Sequence, residues 1–469
     1  MKKKLSLMLV FSASMLLSSC GDGGTSGGGD VPSDGSTTTL KVSFFNGGHQ
    51  SRFFEALEKG FNAKYPESPI RFDLTPDPNL DTNIESYMQT KANLPDLVFT
   101  RGGSYSRWIS RDYIEPLDDV MEEPVNNTGL KAKDSIYEGY AEACKSSVDG
   151  KFYTLPWAVN NYVFAYNKTA FDQFHWKVPE TFDELITLCD EISKYSDSDH
   201  VYPLAICQDT ADYYLAPQWE WEAQVNGLEF ENSFYHSGTE VVKKNDFFST
   251  GRQSAFDAIS RLIVKGDQTP KYARPHAMSE EFHPSQNHLL DGTAMMMPCG
   301  SWLHNEFLSV LNDDSPEISA FPIPFLPNAK KGSDGKPIRI VADNAQERIF
   351  IPKGASNIKM AKKFLAYLNS DEGNIIFSNY SDACRPFKYD YTKATLASSY
   401  GMATMKAFFD ADEVAVTALS GYFWEAGAAV PYYRPTQMIS ENADGNKAMD
   451  YIKSVVNDNY DNWVKQMQI

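Results

Sequence analysis

Several short segments of the sequence place flat aromatic rings beside amide, carboxylate or guanidinium groups. Trp157 and Tyr162 flank the pair Asn160 and Asn161, and residues 218–222 alternate two tryptophans with two glutamates. Aromatic rings supply apolar contact area at a low entropy cost, while amides and carboxylates supply directional hydrogen bonds. This combination predicts binding of a ligand that carries many hydroxyl groups, such as a sugar.

Residues 218–222 also allow a catalytic interpretation, because glycosidases use paired carboxylates. On a strand, Glu220 and Glu222 would point the same way and could not flank a glycosidic bond without bending of the chain. Trp219 and Trp221 favour a sugar-binding surface, although a half-buried strand or a helix edge gives the same alternation. The sequence contains no H-E-x-x-H, P-loop or G-x-G-x-x-G motif, so we expect no enzyme activity, no cofactor and no metal.

The elements that would position these residues alternate between strands and helices after residue 40. Residues 40–45 and 70–74 predict strands, and residues 51–65 carry apolar side chains at helical spacing before Pro66. This alternation is typical of an α/β layer with a mostly parallel sheet, in which ligands gather beyond the carboxyl ends of the strands. Two loops at such ends hold the candidates Asn46, His49, Arg101 and Gly102.

A second set of strands and helices follows residue 149. Residues 162–167 predict a strand, and Thr181 with Glu184 predicts a capping box at the start of a helix. Two α/β lobes follow from this order, which agrees with a chain too long for one ordinary core. Further helices are expected near 251–265, 358–369, 403–411 and 446–465.

The amino terminus has the features of a bacterial export signal. Three lysines precede an apolar run, residues 5–17, that is too short to span a membrane, and L-S-S-C at 17–20 resembles the lipobox of lipoproteins. We expect residues 1–19 to be a signal peptide and Cys20 to carry the lipid, with an ordinary secretory signal as the alternative. Residues 20–39, rich in Gly, Ser, Thr and Asp, are expected to be a flexible tether.

The chain of 469 residues has a formal net charge of −19. An acidic protein repels nucleic acid and anionic headgroups, so we expect neither as a partner and expect membrane attachment only through the lipid. Five cysteines remain besides Cys20, with no C-x-x-C spacing. We expect them to be buried as small apolar residues, and a disulfide between two of them stays open.

Five short segments stand in order within roughly residues 40–390. They are DGKFYTLP at 149–156, FAYNKTAF at 164–171, VPETFDEL at 178–185, GTAMMM with GSW at 292–302, and IPKG with AKKFLAYL at 351–368. Together they resemble the family 1 extracellular solute-binding proteins, which include maltose-binding protein. Ala165 and Cys299 depart from the family pattern, which often has an aromatic residue at the first position and Gly or Asn at the second. Residues 390–445 match poorly.

The resemblance implies an α/β, two-lobed periplasmic-binding-protein-like (type II) clamshell with a hinge between the lobes. By that analogy residues 40–155 and 295–343 form the amino-terminal lobe, and residues 156–294 and 344–469 form the carboxy-terminal lobe. A monomer of this kind would trap a small-molecule carbohydrate in the cleft and deliver it to the permease subunits of an ABC transporter. The crossover supplies the candidates Trp157, Asn160 and Asn161, and the family's contact positions supply Ser301 and Trp302. Asn344 is a further candidate because it lies just before the predicted strand 348–351 and would face the hinge.

A late aromatic cluster supplies the last two candidates, Trp424 and Arg434. The guanidinium of Arg434 suits a hydroxyl or an acidic sugar, and a surface ion pair is the alternative. Two other functions stay open: binding of a polyamine, glycerol phosphate or peptide by the same fold, and hydrolysis by a lipid-anchored glycosidase. Glycerol phosphate would need clustered basic residues, and only Arg101 and Arg434 are obvious candidates.

Overall fold

The computed structural model describes residues 31, 35–49, 51–196, 198, 200–215, 217–396 and 398–467. The expected signal peptide, Cys20 and most of the expected tether lie outside these residues. The first part of the chain forms β1 (Thr38–Phe44), α1 (Arg52–Lys64), β2 (Ile70–Pro76), α2 (Leu80–Thr90), β3 (Leu97–Thr100), α3 (Tyr105–Ser110), α4 (Asp118–Met121), α5 (Ala132–Ser135), α6 (Glu138–Cys144) and β4 (Leu155–Pro156).

The middle of the chain is richer in helix. It forms β5 (Tyr162–Asn167), α7 (Lys168–Phe174), α8 (Phe182–Ile192), β6 (Tyr202–Leu204), α9 (Gln208–Tyr214), α10 (Pro217–Asn226), α11 (Leu228–Tyr235), α12 (Thr250–Ile263), α13 (Phe282–Asn287), β7 (Ala294–Gly300), α14 (Leu303–Phe307) and β8 (Ile318–Pro322).

The last part of the chain adds strands and helices that pack with both of the preceding parts. It forms β9 (Ile340–Asp343), β10 (Arg348–Phe350), α15 (Ile358–Asn369), α16 (Asp371–Ser381), α17 (Ser399–Phe409), β11 (Glu413–Val416), α18 (Tyr422–Glu425), α19 (Pro435–Ser440) and α20 (Gly445–Gln466).

The first sheet has the strand order β2–β1–β3–β10–β4. β1 runs parallel to β2 and β3, whereas β10 runs antiparallel to both β3 and β4. The carboxyl ends of β1, β3 and β4 therefore meet the amino end of β10 at one edge of the sheet. The loops at this edge are residues 45–49, 101–104, 157–160 and 344–347.

The second sheet has the strand order β6–β7–β5–β8. β6 and β7 are parallel, and β5 runs antiparallel to β7 and β8 with Tyr162 opposite Gly300. This register brings residues 301–302 beside the crossover that precedes β5. The carboxyl end of β6 meets the same edge and leads into α9.

Each sheet is covered by its own hydrophobic core. Around the first sheet, Phe53 and Phe54 of α1 pack with Phe99 and Trp157, and this core also includes residues 345–394. Around the second sheet the core runs from Tyr162 to Leu326 and resumes near the carboxyl end of the chain. Burial of each large apolar side chain contributes ~1.5–3 kcal/mol. We call these regions the first lobe (38–159 and 345–396) and the second lobe (162–326 and 421–467).

These cores differ from the lobe bounds expected from the family analogy. Residues 295–343 were assigned to the first lobe, but β7 and β8 pair on either side of β5 and belong to the second sheet. Residues from 344 onward were assigned to the second lobe, but β10 lies between β3 and β4 in the first sheet. The difference arises because strand order within a sheet depends on pairing between distant segments.

The two lobes are joined by a small parallel pair, β9 with β11. Helix α17 also lies at the junction, since Tyr400 belongs to the core of the second lobe and Phe408 to that of the first. Asn161 donates to the backbone oxygen of Thr404 in α17 at 3.1 Å and ties the crossover to this helix. We call β9, β11 and α17 the hinge region.

Local sequence signals account for several elements. Thr181 and Glu184 form the predicted capping box, in which the Thr181 amide donates to the Glu184 carboxylate at 2.9 Å. Cys144, Cys189, Cys207, Cys299 and Cys384 are buried and form no disulfide with one another, which confirms their prediction as small core residues. None of the described helices combines the length and apolar character that crossing a membrane requires.

Candidate functional site

The edges of the two sheets enclose a cavity of about 240 Å³, which we call the inner cavity. The loop after β1 and Arg101 contribute from the first lobe, while α9 and the residues after β7 contribute from the second. The lining residues are Phe45, Gly47, Gly48, His49, Arg101, Asn160, Asp209, Tyr213, Phe282, Trp302, Glu306 and Glu347.

A buried polar chain lies at one wall of the inner cavity. His49 Nε2 is 3.0 Å from Asn160 Oδ1, and Asn160 Nδ2 donates to Glu347 Oε1 at 3.2 Å. With the Asn160 amide in this orientation, Nε2 of His49 carries the proton and Nδ1 presents a lone pair. His49 Nδ1 and Glu347 Oε2 are buried and have no hydrogen-bond partner among the described residues. Such atoms are costly to leave unpaired, so they are natural contacts for a polar ligand.

Burial changes the protonation of both ends of this chain. It lowers the pKa of His49 to about 4, against a smaller opposing effect of the Asn160 hydrogen bond, so the imidazole is neutral at physiological pH. It also raises the pKa of Glu347 to about 8, with the Asn160 hydrogen bond and the Arg101 charge acting in the opposite direction. The wall therefore offers a neutral acceptor beside a carboxyl group that gains or loses a proton near neutral pH.

Aromatic side chains of the second lobe form the opposite wall. Trp302 and Tyr213 line the inner cavity, and their ring centres are 5.6 Å apart. The buried Tyr162 lines neither cavity, and its ring lies 5.7 Å from that of Trp302 and 6.3 Å from that of Trp219. The rings of Trp302 and Tyr213 form an apolar surface suited to the C–H face of a sugar ring.

A second, larger cavity of about 1030 Å³ adjoins the inner one, and we call it the outer cavity. Gly102 and Gln346 line it, whereas their chain neighbours Arg101 and Glu347 line the inner cavity. Trp219 adds an aromatic ring to the lining of the outer cavity. Together the two cavities form one cleft, which is larger than the roughly 300–1,000 Å³ typical of small-ligand sites.

The lobes touch each other at both ends of the cleft. Near the inner cavity, the Cα of Gly48 lies so close to Trp302 that an added Cβ would overlap the indole side chain. At the rim of the outer cavity, Ser147 Oγ lies 2.8 Å from both carboxylate oxygens of Glu425 in the second lobe. Arg52 of α1 donates to Asn305 Oδ1 of α14 at 2.9 Å.

Comparison with known proteins connects this architecture to a family. Residues 59–404 match the model of the bacterial extracellular solute-binding proteins. The chain belongs to that family. The diacetylchitobiose binding protein NgcE of Streptomyces coelicolor is 21% identical over 349 residues, which cover 73% of this chain and 68% of NgcE.

Solved structures of the same architecture include two sugar receptors. RafE of Streptococcus pneumoniae, solved with raffinose, superposes with a TM-score of 0.61 at 16% identity, covering 90% of this chain and 99% of RafE. GacH of Streptomyces glaucescens, solved unliganded and with acarbose, gives a TM-score of 0.60 at 16% identity, covering 92% of this chain and 99% of GacH. The two-lobed type II fold expected from the sequence is thereby confirmed.

Eight of the candidate residues line the cleft of this solute-binding protein. Those in the inner cavity are His49, Arg101, Asn160 and Trp302. Those in the outer cavity are Gly102, Trp219, Asn344 and Trp424.

Three candidates at the crossover lie behind the cleft wall instead. The Trp157 indole donates to the backbone oxygen of Thr100 at 2.9 Å, and its ring centre is 5.5 Å from that of His49. Ser301 Oγ donates to the Val159 oxygen at 2.8 Å. With Asn161 bonded to α17, these side chains hold the backbone from which Asn160 projects and line neither cavity.

The remaining four candidates also lie outside both cavities of the solute-binding protein. Residues 219–222 belong to helix α10, where positions two apart point in roughly opposite directions. Trp221 is buried in the second core and donates to the Pro324 oxygen, and Glu220 is buried, with the charge of Arg339 opposing the rise in its pKa that burial causes. Asn46 and Arg434 are exposed side chains.

Eight of the twelve residues that line the inner cavity were not among the sequence candidates, and four of these carry polar side chains: Asp209, Tyr213, Glu306 and Glu347. Glu347 precedes a strand that runs antiparallel to its neighbours, so its place at the ligand-facing edge depends on pairing across the sheet. Asp209 and Tyr213 follow β6, the same kind of strand-end position that indicated His49 and Arg101. This strand-end position would have identified Asp209 and Tyr213 as candidates if β6 had been predicted from the sequence.

Proposed function

We propose that this solute-binding protein captures a carbohydrate in the cleft between its lobes and delivers it to the permease of an ABC importer. One observation carries the proposal. The unpaired buried atoms of His49 and Glu347 face an inner cavity whose opposite wall contains Trp302 and Tyr213. Polar atoms on one side and rings on the other match the hydroxyl edge and the apolar face of a sugar.

The relatives support a carbohydrate. NgcE is named for diacetylchitobiose, and the RafE and GacH structures contain raffinose and acarbose. The outer cavity leaves room for further units beyond one bound in the inner cavity. We therefore propose an oligosaccharide whose terminal ring enters between His49 and Trp302.

The protein is proposed to act by binding and closure rather than by catalysis. The glycosidase alternative used Glu220 and Glu222 as a pair. Glu220 lines neither cavity, and Glu222 forms a buried ion pair with Arg252 at 2.9 Å. Closure would follow from ligand contacts with both lobes, because a ligand favours the conformation in which it makes more contacts.

A ligand screen tests the proposed function. Thermal unfolding of the purified chain is followed with mono- and oligosaccharides, amino acids, putrescine and glycerol phosphate. We expect a rise in melting temperature with at least one carbohydrate and none with the other solutes, since a ligand stabilises only the folded state. Stabilisation by a non-carbohydrate alone would contradict the sugar assignment.

Two matched variants connect the screen to the site. Glu347→Gln removes the carboxyl group beside the inner cavity, and we expect it to weaken the response to the best carbohydrate. Glu220→Gln makes the same chemical change at a buried carboxyl group outside both cavities, and we expect the ligand response to persist. Equal loss in both variants would argue against binding at Glu347.

The attachment to the membrane is proposed from the sequence. Cys20 is the expected site of diacylation, and it would leave the protein on the outer face of the cytoplasmic membrane. Cys20→Ala is expected to release the protein from the membrane fraction and to abolish labelling by a radioactive fatty acid. Retention of the label in the variant would exclude Cys20 as the lipid site.

A further inference from the structure

The inner cavity is rich in carboxyl groups. Among its described lining residues, Asp209, Glu306 and Glu347 are acidic, whereas Arg101 provides the one guanidinium. His49 adds no charge because burial keeps its imidazole neutral. A neutral sugar needs no such excess of acid, since amides and hydroxyls satisfy its hydroxyl groups as well.

The carboxyl group of Glu347 is placed to contact a ligand directly. The residue is only 6% exposed and lines the inner cavity. Oε1 is bonded to Asn160, while Oε2 has no partner among the described residues. The guanidinium of Arg101 lies over the ring of Phe45, 4.7 Å from its centre, on an exposed side chain.

The aromatic wall is also suited to a positive charge. The rings of Trp302 and Tyr213, which both line the inner cavity, are inclined to each other by 41°. The faces of tryptophan and tyrosine attract a cation within about 6 Å of the ring centre. A cation between this wall and Glu347 would meet negative potential on both sides.

We propose, building on the carbohydrate function above, that the solute carries an amino group as its ammonium ion and that the inner cavity binds this group between Glu347 and Trp302. The ammonium donates to Oε2 of Glu347, and the sugar ring stacks on the aromatic wall. Asp209 and Glu306 add longer-range attraction. The same charges reject a uronic acid or a sugar phosphate.

This arrangement couples binding to proton release. With a pKa of about 8, Glu347 is mostly protonated at about pH 7 in the free protein, and an adjacent ammonium favours its ionised form. Arg101 lowers this pKa, while Asp343 and Asp81 raise it. Binding of an amine should therefore release a proton to the buffer, whereas binding of a neutral sugar should not. The other titratable groups that line the cavity are His49, Asp209, Tyr213 and Glu306.

A panel of related sugars tests the inference on the full chain. The probes are glucosamine, N-acetylglucosamine, glucose and glucuronate, together with the β-1,4-linked dimers of the first two, each at millimolar concentration. Acetylation removes the charge of the nitrogen and leaves the ring unchanged. We expect the amines to bind at least about tenfold more tightly than their acetylated partners, and glucuronate to bind least.

Calorimetry in two buffers of different ionisation enthalpy gives a second readout. We expect the apparent binding enthalpy of the amines to depend on the buffer, and that of N-acetylglucosamine to be independent of it. Glu347→Gln should abolish both the preference and the buffer dependence, while Glu220→Gln should keep both. If Glu347→Gln fails to fold, the exposed Asp209→Asn should still reduce the preference for the amine.

The outcomes separate this inference from the function on which it rests. Equal or tighter binding of N-acetylglucosamine, glucose or glucuronate would overturn the ammonium site and leave the carbohydrate function in place. Binding of putrescine in preference to every sugar would overturn both, as would the absence of binding by all the carbohydrates tested in both screens.

Discussion

Glu220 and Glu347 are two buried carboxyl groups with different surroundings. Burial raises the pKa of each to about 8. Glu347 faces the cleft, where a ligand can satisfy it. Glu220 lies in α10 and lines neither cavity, and the charge of Arg339 only partly offsets the effect of burial on its pKa, so a ligand in the cleft cannot relieve the cost of burying it. The first is therefore a candidate for recognition and the second a contributor to the pH dependence of stability.

The raised pKa of Glu220 predicts a loss of stability in alkali. A folded-state pKa above the ordinary value of 4.5 contributes stability that is complete below that value and is lost as the pH rises through about 8. Glu220→Gln should therefore reduce the fall in unfolding free energy between about pH 5 and about pH 8 by ~3 kcal/mol. Urea denaturation at several pH values measures the unfolding free energy of the variant and of the original protein. An unchanged pH dependence in the variant would show that the pKa of Glu220 is not raised in the folded protein.

Trp302 is the central ring of the aromatic wall, so its truncation should affect binding more than any other change there. Trp302→Ala is expected to weaken carbohydrate binding by ~2 kcal/mol, about thirtyfold, while Trp302→Phe retains most of the affinity. Isothermal titration measures both. Trp221→Phe, in the core beyond the cleft, should lower the melting temperature without changing the affinity, and a loss of affinity there would contradict the assignment.

At the scale of elements, the loop after β1 brings the lobes together at the inner cavity. Gly48 has no side chain, and an ideal Cβ built on it would lie 2.7 Å from Cγ of Trp302 and closer still to its Cβ. The absence of a side chain therefore allows β1 of the first lobe and the end of β7 in the second to approach each other. The approach also fixes the distance between Glu347 and the aromatic wall.

Gly48→Ala should consequently hinder closure of the cleft without disrupting either core. We expect an affinity about tenfold lower for the bound carbohydrate, with little change in the melting temperature of the free protein. Gly332→Ala is the control, because its Cβ would lie no closer than 3.3 Å to any neighbouring atom, the nearest being a carboxylate oxygen of Asp334. A normal affinity in Gly48→Ala would mean that the lobes do not approach at this loop during binding.

At the scale of the whole molecule, the cleft is bounded by contacts that exist only when the lobes are close. Ser147 in the first lobe and Glu425 in the second meet at the outer rim. Gly48 and Trp302 meet at the inner end. Trp302 belongs to the core of the second lobe, but Gly48 and Ser147 belong to neither core and neither contact pairs two strands, so both contacts can separate while the lobes stay folded. Opening is therefore expected to occur at the hinge region.

Ser147→Ala should shift the equilibrium towards the open form. We expect about threefold weaker carbohydrate binding and a larger radius of gyration at subsaturating ligand, measured by X-ray scattering. Ser233→Ala, on the exposed side of α11, should behave as the original protein. Identical scattering curves for Ser147→Ala and the original protein at every ligand concentration would contradict a role in closure.

Local patterns in the sequence predicted much of this molecule. Residues 162–167 and 358–369 form the expected strand and helix at the expected positions, because periodicity and capping are properties of neighbouring residues. The membership of β7, β8 and β10 in the two sheets was not predictable, since it depends on pairing between segments more than a hundred residues apart. Glu347 was not predicted for the same reason, because it precedes β10. His49 and Arg101 follow parallel strands near the start of the chain, and the sequence predicted both as candidates.

The late insertion of β10 into the first sheet has a consequence for synthesis and export. When the ribosome has completed β4, the strands β3 and β4 still lack the partner that separates them, and their edges remain open until residues 348–350 have been made. Unpaired edges invite incorrect pairing. The same delay keeps the nascent chain from completing its first lobe early, which would suit the export proposed from the amino-terminal signal sequence.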